Sequence, residues 1–342
     1  MQNFNRKRQR ARRKSLYDRR AYYSLFNHRL INFHLTNSTL TKPNTIKRLT
    51  VGGITFSIRA ADVSFLQPVP EKNYTEFESE VIFASGPFDI DVLIKTATGG
   101  NLPNKNLHLA YTSDSCWSLY RTENGYVIQL QPVGLDKPMW EAETNADFSE
   151  VIVQVHIPQP RGKHSLEHFY PFRYPLDQIL LIYYLGMRKG ILIHSAGVTI
   201  GEKGYILPGI SGAGKSTISS AFLKNDTFQV INDDRMVIRH QNDKYQAYGT
   251  PWPGDAGIAI NSKKELNGIL FLNKATENRI EEISPQKAFE KLLPVASIPW
   301  HDKEIVLNLF EFCEQMVRSV PAYNLYFTPS PDLNDLILEA VG

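Results

Sequence analysis

Cysteine is almost missing: Cys116 and Cys313 are the only two in 342 residues. They lie far apart and have no C-x-x-C partner, which argues against a disulfide framework or a cysteine zinc site and fits a reducing cytoplasm. Also missing is any apolar run near the roughly 20 residues that a membrane-spanning helix requires. The chain is therefore not read as an integral membrane protein. No apolar stretch with a small-residue cleavage site follows the basic start, so a secretory signal is not expected. Acidic residues are scarce at one end only. Residues 1–48 hold 13 Lys or Arg against the single acid Asp18, a balance of +12, whereas residues 49–342 carry 25 against 34, or −9.

What is present is ordinary globular material, 42% hydrophobic and 11% aromatic, in a length that favours two domains. The arm, residues 1–48, has too little apolar periodicity to join a core. Its clusters Arg6-Lys7-Arg8 and Arg12-Arg13-Lys14 suit an acidic partner, an acidic membrane surface or nucleic acid. Residues 49–160 look β-rich. Short strands are expected at 54–58, 81–83, 88–94 and 151–155, with a hairpin joining 117–120 to 126–130 across Asn124-Gly125. His108 and His156 are isolated there, so scaffolding or partner recognition is the expectation. Pro158-Gln159-Pro160-Arg161-Gly162-Lys163 is the candidate linker to a second domain, 165–342. In that domain a helix is expected from Pro175 towards Gly190, with others at 285–293, 302–319 and 333–341. Strands are expected at 191–194, 198–200, 204–208, 228–234, 236–238, 246–248, 269–272 and 323–327.

The second domain contains Gly209-Ile210-Ser211-Gly212-Ala213-Gly214-Lys215-Ser216-Thr217, which fits the pattern G-x-x-x-x-G-K-[ST] at every fixed position. A triphosphate must be held largely without water, and a glycine-rich turn lets consecutive N–H groups converge on it because no Cβ blocks the approach. The flanks suit the motif: 204–208 reads as a buried strand, and Ile218, Phe222 and Leu223 give the next segment an apolar helical face. Lys215 would reach the β- and γ-phosphates, and Ser216 would offer its hydroxyl to Mg²⁺. The cofactors expected are ATP, or another nucleoside triphosphate, and Mg²⁺.

After this loop, Phe228-Gln229-Val230-Ile231 runs into Asn232-Asp233-Asp234. An acid at such a strand end can hold Mg²⁺, and a kinase needs a carboxylate to take the acceptor's proton. Two adjacent acids in one strand point to opposite faces and would divide those roles. Gly249-Thr250-Pro251-Trp252-Pro253-Gly254-Asp255 is too rich in proline and glycine for a strand. It is read as a lid or acceptor-binding rim, with Trp252 as a plug against the β-rich domain as the alternative.

The order Ile193-His194-Ser195-Ala196-Gly197-Val198, Gly209 to Thr217, then Ile231-Asn232-Asp233-Asp234-Arg235 resembles the catalytic domain of the HPr kinase/phosphorylase family. The resemblance is stronger still to the related kinases of peptide-modification gene clusters, including lasso-peptide kinases, to which the Gly-Thr-Pro-Trp-Pro-Gly stretch belongs. It implies an α/β P-loop domain akin to the nucleotide-binding part of phosphoenolpyruvate carboxykinase, here preceded by the smaller β-rich domain. It also implies a phosphoserine product. By position, Lys215 and Ser216 bind phosphate and Mg²⁺ within the cradle formed by Gly209, Ser211, Gly212, Ala213, Gly214 and Thr217. Asp234 is implied as general base, Asp233 as a metal or orienting carboxylate, and His194 as the residue that steadies the pair. Arg235 and Arg279 are candidates for stabilising transferred charge. The family's downstream Leu-Gly-Ile-Gly run is not found, so the acceptor is read as a peptide or protein hydroxyl rather than HPr, and the oligomeric state is left open. A reading from another class is a nucleotide-sensing or nucleic-acid-associated protein that works through the basic arm.

Overall fold

The computed structural model describes residues 46–61, 71–81, 87–97, 107–113, 116–156, 170–330 and 332–341. The arm's residues 1–45, the linker at 158–163 and the strand positions Ile82 and Phe83 lie outside the described residues.

Nine strands come first: β1 (Ile46–Val51), β2 (Ile54–Ala60), β3 (Glu78–Val81), β4 (Ile90–Thr96), β5 (His108–Thr112), β6 (Trp117–Arg121), β7 (Gly125–Leu130), β8 (Trp140–Asn145) and β9 (Glu150–Val155). They form one sheet in the order β3-β1-β2-β4-β9-β8-β7-β6-β5. The β2–β4 and β4–β9 pairs are parallel and the other pairs are antiparallel. The expected hairpin is present as β6–β7, with Arg121 opposite Tyr126. Three corrections belong here. β1 starts at Ile46, inside the stretch assigned to the arm. β5 and β8 were not anticipated, because Glu141 and Glu143 break the apolar signal of β8. His156 is not isolated: its Nε2 lies 2.9 Å from Oε2 of the buried Glu141, which also accepts from Gln129 Nε2.

The rest of the chain is mixed α/β. In order come α1 (Leu176–Gly186), β10 (Gly190–Ile200), β11 (Lys203–Pro208), α2 (Lys215–Phe222), β12 (Phe228–Asn232), β13 (Arg235–Gln241), β14 (Lys244–Tyr248), β15 (Lys263–Lys274), β16 (Arg279–Glu282), α3 (Pro285–Leu292), α4 (Lys303–Ser319), β17 (Ala322–Phe327) and α5 (Leu333–Val341). The second sheet runs β11-β10-β13-β14-β15-β17-β16, and β15 also pairs with β11, so five of its strands close a circuit. The two expected strands at 191–194 and 198–200 are one continuous β10. Its first half pairs with β13, while its second half pairs with β12 on one side and β11 on the other.

Period-two alternation explains why the long apolar runs are strands. In β15, Ile269 and Phe271 enter the core shared with α1, α3, α4 and the nine-stranded sheet. Leu270 and Leu272 face the opposite core, under α2 and α5. A strand buried on both faces must be hydrophobic throughout, and each such side chain contributes about 1.5–3 kcal/mol on burial. α4 buries Ile305, Leu309, Phe312 and Met316 along one stripe, and Asp302 caps it by accepting from Ile305 N at 3.4 Å. Among the described residues no helix is long and apolar enough to cross a membrane.

Candidate active site

Three chain segments meet side by side at one end of the second sheet. β11 delivers the glycine-rich loop, whose Gly209 N donates to His194 O at 3.3 Å. On the other side of β10, Ser195 N donates to the backbone oxygen of Asp234 at 2.9 Å, and His194 stands opposite Arg235 in the β10–β13 ladder. His194 is thereby fixed between the loop and the acidic bend.

The loop needs its glycines. Gly212 and Gly214 have φ of +84° and +107°, and a Cβ on Gly214 would come within 2.6 Å of the Phe327 ring. Ala213 N bonds back to Ile210 O at 3.0 Å, closing the turn, and the helical ladder of α2 starts with Ile218 N to Gly214 O. The first N–H groups of α2 accordingly have no intrahelical partner. Lys215 is buried, and its Nζ folds onto the loop's own carbonyls, 2.8 Å from Gly209 O and 3.5 Å from Ile210 O. Burial pushes the Lys215 ammonium below its ordinary pKa, while the charge of Asp234 acts in the opposite sense. Ser211 and Gly212 are exposed at the loop's tip, and Ser216 and Thr217 in the first turn of α2.

The two aspartates do not continue β12. That strand ends at Asn232, and Asp233-Asp234 form a bend before β13. The cause is Asn232, which is fully buried and whose Oδ1 accepts from both Asp234 N (2.8 Å) and Arg235 N (2.7 Å). A side chain that satisfies the amides two and three residues further on turns the chain where a ladder would have continued it. The opposite-face expectation fails for that reason, and the two carboxylates instead meet different sets of partners. Asp234 faces His194 and Arg235: Oδ1 is 2.7 Å from His194 Nε2 and Oδ2 is 3.1 Å from Arg235 Nε. Burial acts to raise the pKa of this carboxyl, but the His194 hydrogen bond and the nearby charges of Arg235, His194 and Lys215 outweigh it and hold it below its ordinary value. Asp233 faces the other way. Its Oδ1 accepts from Gly254 N (2.9 Å) and Ile258 N (3.2 Å), and its Oδ2 from Ala256 N (2.8 Å).

The expectation of a mobile lid over 249–255 is corrected. Trp252 is 8% exposed, and its Nε1 lies 3.0 Å from Tyr74 Oη and 3.1 Å from Asp177 Oδ2. The ring plugs a junction with the nine-stranded sheet, which was the alternative reading. Thr250, fully buried, donates to Arg235 O at 2.8 Å and accepts at its carbonyl from Asn232 Nδ2 at 2.9 Å. Arg279 stands apart, stacked on Tyr326 at 3.7 Å. The roles of Asn232 and Thr250 were missed, although an Asn directly before two acids is a recognisable turn-former. The partners of Trp252 left no local signal, since Tyr74 lies 178 residues away.

No protein-family model matches the chain, and no curated protein matches it by sequence. Among solved structures it bears a weak likeness to the Hpr(Ser) kinase/phosphatase from Coxiella burnetii, with 16% identity, 44% of this chain and 95% of that chain covered, and a TM-score of 0.26. The functional reading therefore stands on the chain's own residues.

Proposed function

We propose that the chain is an ATP- and Mg²⁺-dependent kinase that transfers the γ-phosphate to a hydroxyl, a serine of a peptide or protein. The observation that carries this reading is the convergence of a buried lysine in a glycine-rich strand-to-helix loop with a carboxylate held ionised between His194 and Arg235. A lysine whose hydrogen bonds among the described residues go to its own loop's carbonyls, beside helix N–H groups without internal partners, fits an anion in the place those groups face. Ser216 supplies a hard oxygen donor of the kind Mg²⁺ takes. Bound with the nucleotide, Mg²⁺ would neutralise charge on the β- and γ-phosphates.

In this reading the loop amides and Lys215 grip the phosphates. His194 and Arg235 fix the carboxylate of Asp234, which accepts the proton of the attacking hydroxyl as the oxygen–phosphorus bond forms and ADP leaves. A carboxylate of lowered pKa is a weak base, which suits a loose transition state in which the proton moves late and positioning dominates. Because three backbone amides occupy Asp233, the orienting role of the two open to it is favoured over metal ligation. Arg235, bonded to Asp234, is the arginine best placed to meet transferred charge.

The test is incubation of the full chain with γ-labelled ATP, Mg²⁺ and an array of serine-, threonine- and tyrosine-containing peptides. Label is expected on serine hydroxyls and is expected to require Mg²⁺. Absence of both nucleotide binding and label on every peptide would overturn the proposal.

A further inference from the structure

The segment between β14 and β15 is tied to two parts of the molecule at once. On one side it grips the acidic bend, through Thr250 to Asn232 and Arg235 and through the Gly254, Ala256 and Ile258 amides to Asp233. On the other side it grips the short helical turn Lys72–Tyr74, which lies between β2 and β3. Asn73 Nδ2 donates to Pro251 O at 2.6 Å, Trp252 Nε1 lies between Tyr74 Oη and Asp177 Oδ2, and Asn261 bonds Glu76 twice. Only Pro253 separates Trp252 from Gly254, and prolines on both sides of Trp252 stiffen the link.

The far anchor is itself rigid. Tyr74 Oη donates to Asp177 Oδ2 at 2.6 Å, and the Arg173 guanidinium lies 4.0 Å over the Tyr74 ring while pairing with Glu78 at 2.8 Å. Asp177 is fully buried, so its carboxylate depends on the donors from Tyr74, Trp252 and Gln178 N. Removing one donor leaves a buried charge short of a partner, and the assembly must shift to compensate.

We propose that Trp252, Tyr74 and Asp177 are positioning residues through which the nine-stranded sheet holds the acidic bend, so that Asp234 faces the acceptor hydroxyl. The effect on Asp234 chemistry rests on the kinase reading above, but the mechanical link does not. It gives the β-rich part of the chain a role in turnover rather than scaffolding alone. A change in that sheet, on mutation or on partner binding, reaches the site by this route.

The experiment uses two variants of the full chain: Tyr74→Phe, which keeps the ring and deletes the donor, and Trp252→Phe, which deletes the Nε1 donor and replaces the indole with a smaller ring. Amide exchange at Gly254, Ala256 and Ile258 is expected to quicken about tenfold or more, because their acceptor Asp233 is no longer held. kcat for MgATP turnover is expected to fall about 10- to 100-fold, with KM for MgATP within about twofold, since misplacing a reacting group leaves the phosphate grip intact. Tyr126→Phe, which deletes a different buried hydroxyl that donates to Asp302 at 3.0 Å, should change neither readout. Unchanged exchange in both variants, faster exchange with unchanged kcat, or the same response from Tyr126→Phe would each overturn the proposal. A wild-type chain that binds no MgATP while both variants still quicken exchange would refute the kinase reading and support the link.

Discussion

Replacing Asp234 by Asn separates a proton acceptor from a structural or metal-binding carboxylate, because the surroundings tolerate the amide. Asp234 Oδ2 takes a hydrogen bond from Arg235 Nε at 3.1 Å, and Oδ1 lies 2.7 Å from His194 Nε2. Arginine can only donate, so the amide oxygen must turn towards Arg235 and the NH₂ towards His194. Imidazole can accommodate this by moving its proton to Nδ1 and accepting at Nε2. The geometry survives, and the melting temperature should move by only a few degrees, in line with about 1 kcal/mol or less. The base does not survive, and its loss costs about 10²- to 10⁴-fold in kcat. MgATP affinity should hold or improve. Removing a negative charge that faces the phosphates relieves repulsion, which salt screens in part, so binding should tighten modestly if it changes. Calorimetric titration with a non-hydrolysable ATP analogue and steady-state transfer kinetics on one preparation give both numbers. If MgATP affinity falls more than about tenfold while kcat stays within about threefold, Asp234 is a metal ligand and the base lies elsewhere.

Asp233→Ala should behave differently, releasing Gly254, Ala256 and Ile258 and costing about 1.5–3 kcal/mol in a denaturant titration, as expected when partly exposed donors lose a charged acceptor. An effect under about 1 kcal/mol would show that these bonds do not hold the loop. Gly214→Ala puts a side chain at φ +107° and within 2.6 Å of Phe327, so nucleotide binding should be lost even where circular dichroism shows a folded chain. Stability against pH tests Asp234: a carboxyl held below its ordinary value of 3.8 contributes stability in full above that value and loses it as pH falls through the lower, folded one. The difference between wild type and Asp234→Asn should therefore be flat above about pH 5 and shrink below about pH 4, and a difference that grows on acidification would contradict the assignment.

Much of this was legible where local patterns decide the structure. The apolar run Ile269–Leu272 is a buried strand because alternate residues feed two cores, and the i, i+4, i+7 stripe Ile305, Leu309, Phe312 fixes α4. The glycine-rich loop is readable because its φ values exclude other residues. What escaped is long-range. Ser195-Ala196-Gly197 reads as a break, but β11 and β12 pair on both sides of it and carry β10 through. β16 is short and polar, and is a strand only because β17 pairs with it. Pro251-Trp252-Pro253 has the composition of a mobile loop, and Tyr74 and Asp177, which bury the tryptophan, are invisible to any local window. Asp233 and Asp234 stand out in the sequence as a candidate pair, but the different partners they meet depend on the Asn232 side chain that bends the backbone after β12.

The most direct test of the central claim is Lys215→Ala assayed with γ-labelled MgATP against the wild-type chain. Lys215 is the buried cation of the loop, bonded among the described residues to Gly209 O and Ile210 O, so its removal should take away both phosphate binding and transition-state stabilisation. The account predicts weaker MgATP binding and label transfer reduced by about 10³-fold or more, in a protein whose melting temperature is close to wild type. Transfer at the wild-type rate by the Lys215→Ala chain would contradict it.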